Sequence, residues 1–180
     1  NLPAMVGLVV LAPLIISTLF RHGNFSAEDV HSTANALQCF ALGLPFVSGA
    51  RIITSVFYAL QDSKTPVKAA TYGIVTNIVM GYILMQFLGR QGLALGVASG
   101  SLCNLLVQFF DLRRKIGLLG MKQGRLNFLK IFVASALMGA GLWGFMTLLT
   151  PWVFMSFIRK IIFLILSVGL GVGLYAMAAY

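Results

Sequence analysis

One cation interrupts an otherwise uncharged run. Arg51 lies in the apolar stretch from Leu37 to Leu60, nine residues before the end of that stretch. If the stretch is a membrane helix, Arg51 sits about 13 Å of helix rise inside it. A guanidinium at that depth must pair or face water, so intramembrane cations read as functional by default. The chemistry open to it is anion capture, since the planar fork meets phosphate oxygens through paired charge-assisted bonds. The rival reading is that Arg51 snorkels to the interface or bonds a neighbour's backbone carbonyls.

The other polar groups at depth are Asn77, Asn104, Gln86 and Gln108. Asn77 and Asn104 are candidate substrate contacts, although amides inside a bundle mostly bond to another helix as structural glue. Gln86 and Gln108 are expected near helix ends, where interface water satisfies them. No Asp or Glu falls inside an apolar run, which argues against a proton-relay carboxylate or a high-affinity cation site among these helices. His22 and His31 have no acid or nucleophile arranged as a catalytic triad requires, and no glycine-rich phosphate loop precedes a Lys-Ser/Thr pair. Cys39 and Cys103 lie in apolar runs and read as small hydrophobes. No enzyme, metal or cofactor is expected.

The elements that must position these residues follow from composition. Of 180 residues, 59% are hydrophobic and 9% charged, and the mean hydropathy is +0.93. A water-soluble domain keeps roughly a quarter of its residues charged, so most of this surface must face lipid. Uncharged runs long enough to cross a bilayer occur at Leu2–Phe20, Leu37–Leu60 (Arg51 apart), Ala69–Gly89, Gln91–Phe110, Ile131–Leu149 and Ile161–Tyr180. Runs of this length are helices, because a barrel would show alternating segments of about ten residues. The expected fold is an all-α, polytopic transmembrane bundle of six spans.

Helix-start chemistry agrees. Ser26-Ala-Glu-Asp29 offers a capping hydroxyl and first-turn acids, so the second helix is expected to begin near Ala27. Thr65-Pro66 reads as an N-cap followed by a first-turn proline for the third. Gly92, Gly96 and Gly100 place a small residue every four positions on the fourth helix, a spacing that admits a close neighbour. Gly169 and Gly173 repeat the theme on the sixth. Frequent glycine in membrane helices is the rival explanation.

The net charge of +9 could suggest nucleic acid, but the basic residues cluster between apolar runs, as membrane topology requires. Eight Lys and Arg (Lys64, Lys68, Arg113, Arg114, Lys115, Lys122, Arg125, Lys130) follow the second and fourth spans. Four (Arg21, Arg90, Arg159, Lys160) follow the first, third and fifth. The positive-inside rule puts the former connections, and both ends of the chain, in the cytoplasm. The chain opens Asn-Leu-Pro-Ala with no basic region or signal cleavage site, and reads as part of a longer protein.

Three stretches carry a resemblance: Leu19-Phe-Arg-His-Gly-Asn-Phe-Ser-Ala-Glu-Asp29, Ala41-Leu-Gly-Leu-Pro45 and Phe57-Tyr-Ala-Leu-Gln-Asp-Ser-Lys-Thr-Pro-Val-Lys68. Together they resemble the MurJ/MviN family of lipid II flippases, of the multidrug/oligosaccharidyl-lipid/polysaccharide exporter superfamily. The third stretch is the most specific. Gly92-Leu-Ala-Leu-Gly96, Asn104 and Asp111-Leu-Arg-Arg-Lys115 are similar to the family's next helix and its cytoplasmic end.

The resemblance implies helices nine to fourteen of fourteen. Residues 1–112 would be the last four helices of the C-terminal transporter lobe, 113–130 a basic cytoplasmic loop, and 131–180 the family's extra pair. That pair is associated with a lipid-accommodating groove, here expected along Phe132 to Phe163. Where the family commonly has a Lys shortly before an Ala-Pro ahead of Phe-Tyr, this sequence reads Arg51-Ile-Ile-Thr-Ser-Val-Phe-Tyr58, with Ser55 at the proline's place. A straighter second helix is expected there.

The function implied is translocation of lipid II, or a similar polyprenyl-pyrophosphate lipid, across the bacterial cytoplasmic membrane by alternating access. The implied partners are membrane lipids and the N-terminal lobe of the same protein, not nucleic acid. The rivals are a non-transporting scaffold or degenerate paralogue, and an exporter of another polyprenyl-linked sugar or a drug.

Overall fold

The computed structural model describes residues 1–20, 26–117, 122–153, 162 and 164–173. Its elements are α1 (Leu2–Leu19), α2 (Ala27–Ala59), α3 (Lys64–Leu88), α4 (Arg90–Ile116) and α5 (Lys122–Val153), with α6 at Leu164–Gly173. No strand occurs among the described residues. The first four helices are each long and apolar enough to cross a membrane, so the fold is the expected all-α membrane bundle. Apolar helix is described over Ile131–Phe145 within α5 and over α6. The remainder of the fifth and sixth expected spans lies outside the described residues or within the ends of α5.

Contacts divide the chain into two compact units: Asn1 with Cys39–Lys122, and Leu2–Gln38 with Gln123–Tyr180. The first helix and the start of the second group with the C-terminal helices. α4 continues to Ile116 and α5 starts at Lys122, leaving five residues between them. Arg113, Arg114 and Lys115 extend α4 because cations in a last turn meet the negative end of the helix dipole.

In the first unit α3 and α4 form an antiparallel hairpin across Gly89, whose φ of 58° and ψ of −132° lie where a side chain is strained. The seam is almost backbone on backbone. A Cβ placed on Gly96 would stand 2.5 Å from the Gly81 Cα, and one on Gly100 2.6 Å from the Gly73 carbonyl oxygen. α2 meets α4 the same way at Gly43, where a Cβ would lie 3.3 Å from the Ala98 Cα.

The corner between α2 and α3 is built around Asp62. Its backbone N–H donates to Phe57 O (2.9 Å) while that of Gln61 donates to Tyr58 O (3.0 Å). This paired pattern closes a helix on a left-handed residue, and Gln61, with φ 56°, fills the place glycine usually takes. The Asp62 carboxylate then accepts from the N–H groups of Lys64 (3.1 Å) and Thr65 (3.2 Å) and from the Thr65 hydroxyl. α3 thus starts one residue before the expected Thr65 cap. The reason is that a carboxylate fixed by the preceding turn can satisfy two orphan N–H groups, whereas the Thr65 hydroxyl can satisfy one.

In the second unit the capping of α2 is as expected. The Ser26 hydroxyl accepts from the Asp29 N–H at 3.1 Å, and the Asp29 carboxylate accepts from the Ser26 N–H at 3.2 Å. Ala12 and Ile16 of α1 are buried against Ala34 of α2, with Val30 and Leu37 beside them. Leu11 and Leu14 pack with Phe145 and Leu164. On α6, Gly169 and Gly173 meet nothing within 4 Å among the described residues. Gly171 is the contact glycine instead, 3.1 Å from Met138 and 3.2 Å from Leu142 at the Cβ position. At Gly171 the partners are side chains rather than a second small-residue helix.

Candidate transport site

Arg51 lies on α2 within the first unit. Gly43, Thr54 and Phe57 mark the face of α2 turned to α4: Gly43 abuts Ala98, Thr54 bonds Gln108, and the Lys115 ammonium stands 5.7 Å from the Phe57 ring centre. Arg51 belongs to the neighbouring line Ser48, Arg51, Ser55, Tyr58, whose three- and four-residue spacing puts all four on one helix face. Ser48 and Ser55 turn their hydroxyls back onto the Leu44 carbonyl (2.8 Å) and the Arg51 carbonyl (3.1 Å). Ser48 also accepts from the Asn1 side chain. The Arg51 guanidinium is exposed and has no hydrogen-bond or ion-pair partner among the described residues. Its five donors are therefore available to an anion.

One turn further, Thr54 begins a polar chain. Its hydroxyl donates to Gln108 Oε1 (2.9 Å), and Gln108 Nε2 donates to Asn104 Oδ1 (2.9 Å). Gln108 is 2% exposed, which corrects the expectation that interface water satisfies it. α4 runs on past Phe110 to Ile116, so Gln108 is two turns inside the helix. A buried amide must then find protein partners. The chain of donation ends on the Asn104 oxygen, and no partner of the Asn104 NH₂ group occurs among the described residues.

Asn104 and Asn77 line one pocket of about 210 Å³ between α3 and α4, with Gly73, Gly100 and Ser101. Asn104 bonds within its own helix rather than across helices, and the Asn77 amide has no hydrogen-bond partner among the described residues. The glycines make room for both amides: a Cβ on Gly100 would stand 2.7 Å from the Asn77 Cβ, and one on Gly73 3.0 Å from the Asn104 Cβ. Gly92, further along the same face of α4, comes closest of all, its Cβ position 2.1 Å from the Leu84 carbonyl oxygen.

Lys115 and Asp62 form an ion pair that ties the end of α4 to the α2–α3 corner. The bond from Lys115, together with those from Thr65, holds the Asp62 carboxyl well below the usual carboxylate range. A depressed folded pKa adds stability above the unfolded value that is lost as pH falls through the folded one. The link is therefore complete at neutral pH and fails only in strong acid, below about pH 4. Sequence patterning missed this pair because Asp62 and Lys115 are 53 positions apart. Among the described residues no cluster of His, Cys, Asp and Glu could hold a metal ion.

A second cavity, in the other unit, is apolar. An open apolar cavity of about 380 Å³ is lined by residues of α1, α5 and α6, including Gly7, Leu11, Met138, Leu142 and Gly171. Phe132, expected to line a groove, is exposed elsewhere on α5, and Phe163 lies outside the described residues. So do His22, Arg21, Arg159 and Lys160. His31 Nδ1 accepts from the Asn35 amide NH₂, 3.1 Å away, one turn along α2.

The family described as "Lipid II flippase MurJ" matches residues 1–163. This chain belongs to the lipid II flippase MurJ family. A relative from Haemophilus influenzae described as "Probable lipid II flippase MurJ" is 29% identical over 97% of the chain and 34% of its own length. The "Lipid II flippase MurJ" of Burkholderia cenocepacia is 34% identical over 78% of the chain and 27% of its own length. The solved structure "Lipid II flippase MurJ, inward closed conformation" superposes with a TM-score of 0.78 at 27% identity, over 99% of this chain and 35% of that one. The chain thus spans about a third of the length of the MurJ proteins it matches.

Proposed function

We propose that this chain is the C-terminal part of a flippase that moves a polyprenyl-pyrophosphate-linked peptidoglycan precursor, lipid II or a close analogue, across the bacterial cytoplasmic membrane by alternating access. Arg51 holds the pyrophosphate. The observation that carries the reading is an exposed guanidinium on α2, one of the helices long and apolar enough to cross a membrane, with no partner among the described residues. Such a cation demands a counter-charge or a wet cavity, and the remaining two-thirds of a MurJ-length protein supplies the second wall of that cavity. Asn77 and Asn104 offer amide donors and acceptors to the head group. Access alternates as two lobes rock about a midplane site.

The basic asymmetry supports cytoplasmic connections after α2 and α4. Cysteines introduced at Ser63 and at Arg90 should then label from the cytoplasmic and the outer face respectively, and the reverse pattern overturns the orientation. The test of Arg51 is lipid II flipping by the full-length protein, measured beside thermal stability. Arg51→Lys keeps part of the rate, because charge remains without the bidentate fork. Arg51→Ala loses most of it while staying folded, because removing an intramembrane charge relieves a desolvation cost. Wild-type transport by the Ala variant at normal expression removes Arg51 from the mechanism.

A further inference from the structure

α1 remains helical through Pro13. A proline has no N–H, so the carbonyl four residues back, that of Val9, has no intrahelical donor. In hydrocarbon no water can replace it. The structure supplies a donor from the next helix: Gln38 Nε2 of α2 lies 2.9 Å from Val9 O. Because a carbonyl oxygen only accepts, the partner must be the amide nitrogen whichever way the side chain is written.

The two halves of α1 on either side of this joint are held differently. Beyond it, Ala12 and Ile16 are buried against Ala34 of α2. Before it, Val6 and Gly7 meet Gly139 and Met138 of α5 instead, beside an apolar cavity of about 380 Å³ that α1 lines from Pro3 to Ile15. Proline weakens the helix at the boundary between a half held by α2 and a half held by α5.

We infer that Gln38 is the clasp of a proline joint in α1: with the Gln38–Val9 bond made α1 is a single rod, and with it broken the N-terminal half swings about residues 9–13 into the adjoining cavity. The inference concerns this chain's own motion and does not depend on which lipid is carried. Gln38 acts by replacing one missing hydrogen bond, so its effect must vanish when that bond is restored by Pro13→Ala. Pro13 is exposed, and the alanine removes no buried contact.

The test is a double-mutant cycle in the full-length protein, with Gln38→Met chosen to preserve volume while deleting the donor. Spin labels at Ala4 and Leu19, both exposed and about 22 Å apart along a straight helix, report the rod. Gln38→Met alone should broaden the 4–19 distance distribution toward shorter values and lower the melting midpoint by about 2 °C. In the Pro13→Ala background the same substitution should change neither. Equal loss of stability in both backgrounds, or a distribution that Gln38→Met leaves unchanged beside Pro13, overturns the joint. The first result would place the role of Gln38 in packing, and the second would show α1 rigid without the clasp.

Discussion

The α3–α4 hairpin and the α1–α5–α6 cluster both hold helices together in a solvent as apolar as the helices themselves, and they do so by opposite means. In the hairpin, Gly92, Gly96 and Gly100 bring one backbone against another, and the two asparagines occupy the space left beside the glycines. In the cluster, Leu11, Leu14, Met138 and Leu142 reach between helices and leave a cavity of about 380 Å³. Burying a leucine in place of lipid gains little hydrophobic energy, so packing and hydrogen bonds decide association. Close glycine approach makes a rigid seam that tolerates no added atoms. Long side chains make a looser joint that tolerates movement.

The largest expected effect tests the rigid side. Gly96→Leu should destabilise the full-length protein by upward of about 3 kcal/mol, because its first side-chain carbon already falls within the Gly81 backbone. Gly169→Leu, with open space at the same position among the described residues, should stay within about 0.5 kcal/mol. Thermal unfolding in detergent measures both, and equal effects would erase the contrast between the seam and the cluster. A smaller loss tests the loose side. Leu142 is 0% exposed beside the cavity, so Leu142→Ala should cost about 2 kcal/mol, near the low end for a buried leucine. The lost packing has no large water-transfer term added to it in a membrane. A cost above that of Gly96→Leu would show the cluster to be the tighter of the two.

The smallest effect separates glycine needed for contact from glycine needed for backbone shape. Gly89 and Gln61 have nearly the same φ, 58° and 56°, yet Gln61 bears a side chain. Gln61→Gly should stabilise the protein by about 0.5–1 kcal/mol, the relief of left-handed strain less the entropy glycine loses on folding. A destabilising result in the same unfolding measurement would mean the Gln61 side chain contributes more than its strain costs.

Much of the fold was legible in one dimension because membrane helices must satisfy their own backbones, which makes a span a matter of run length. The Ser26–Asp29 cap was legible too, since its partners are three residues apart. The candidate site was legible in part. Arg51 announced itself as a charge in an apolar run, and Asn77 and Asn104 as amides in theirs. That both asparagines line one pocket, and that Gln108 is buried between Thr54 and Asn104, depends on how α2, α3 and α4 are set side by side. The missed contacts of Gly171 and Asp62 have the same origin, for each meets partners on a different helix.

Composition and run length by themselves determined that this chain lives in lipid as a helix bundle, and the Phe-Tyr to Lys-Thr-Pro-Val-Lys stretch pointed to its family. Those are properties of each segment alone, set by the cost of exposing backbone or charge to hydrocarbon. Only the tertiary structure decided which glycines meet a backbone, which lysine pairs with the Asp62 carboxylate, and that Gln38 supplies the bond Pro13 withholds from Val9. The physical reason is that a close contact or hydrogen bond requires two groups within about 3 Å. Residues as far apart as Val9 and Gln38, 29 positions, reach that distance only after the helices have packed.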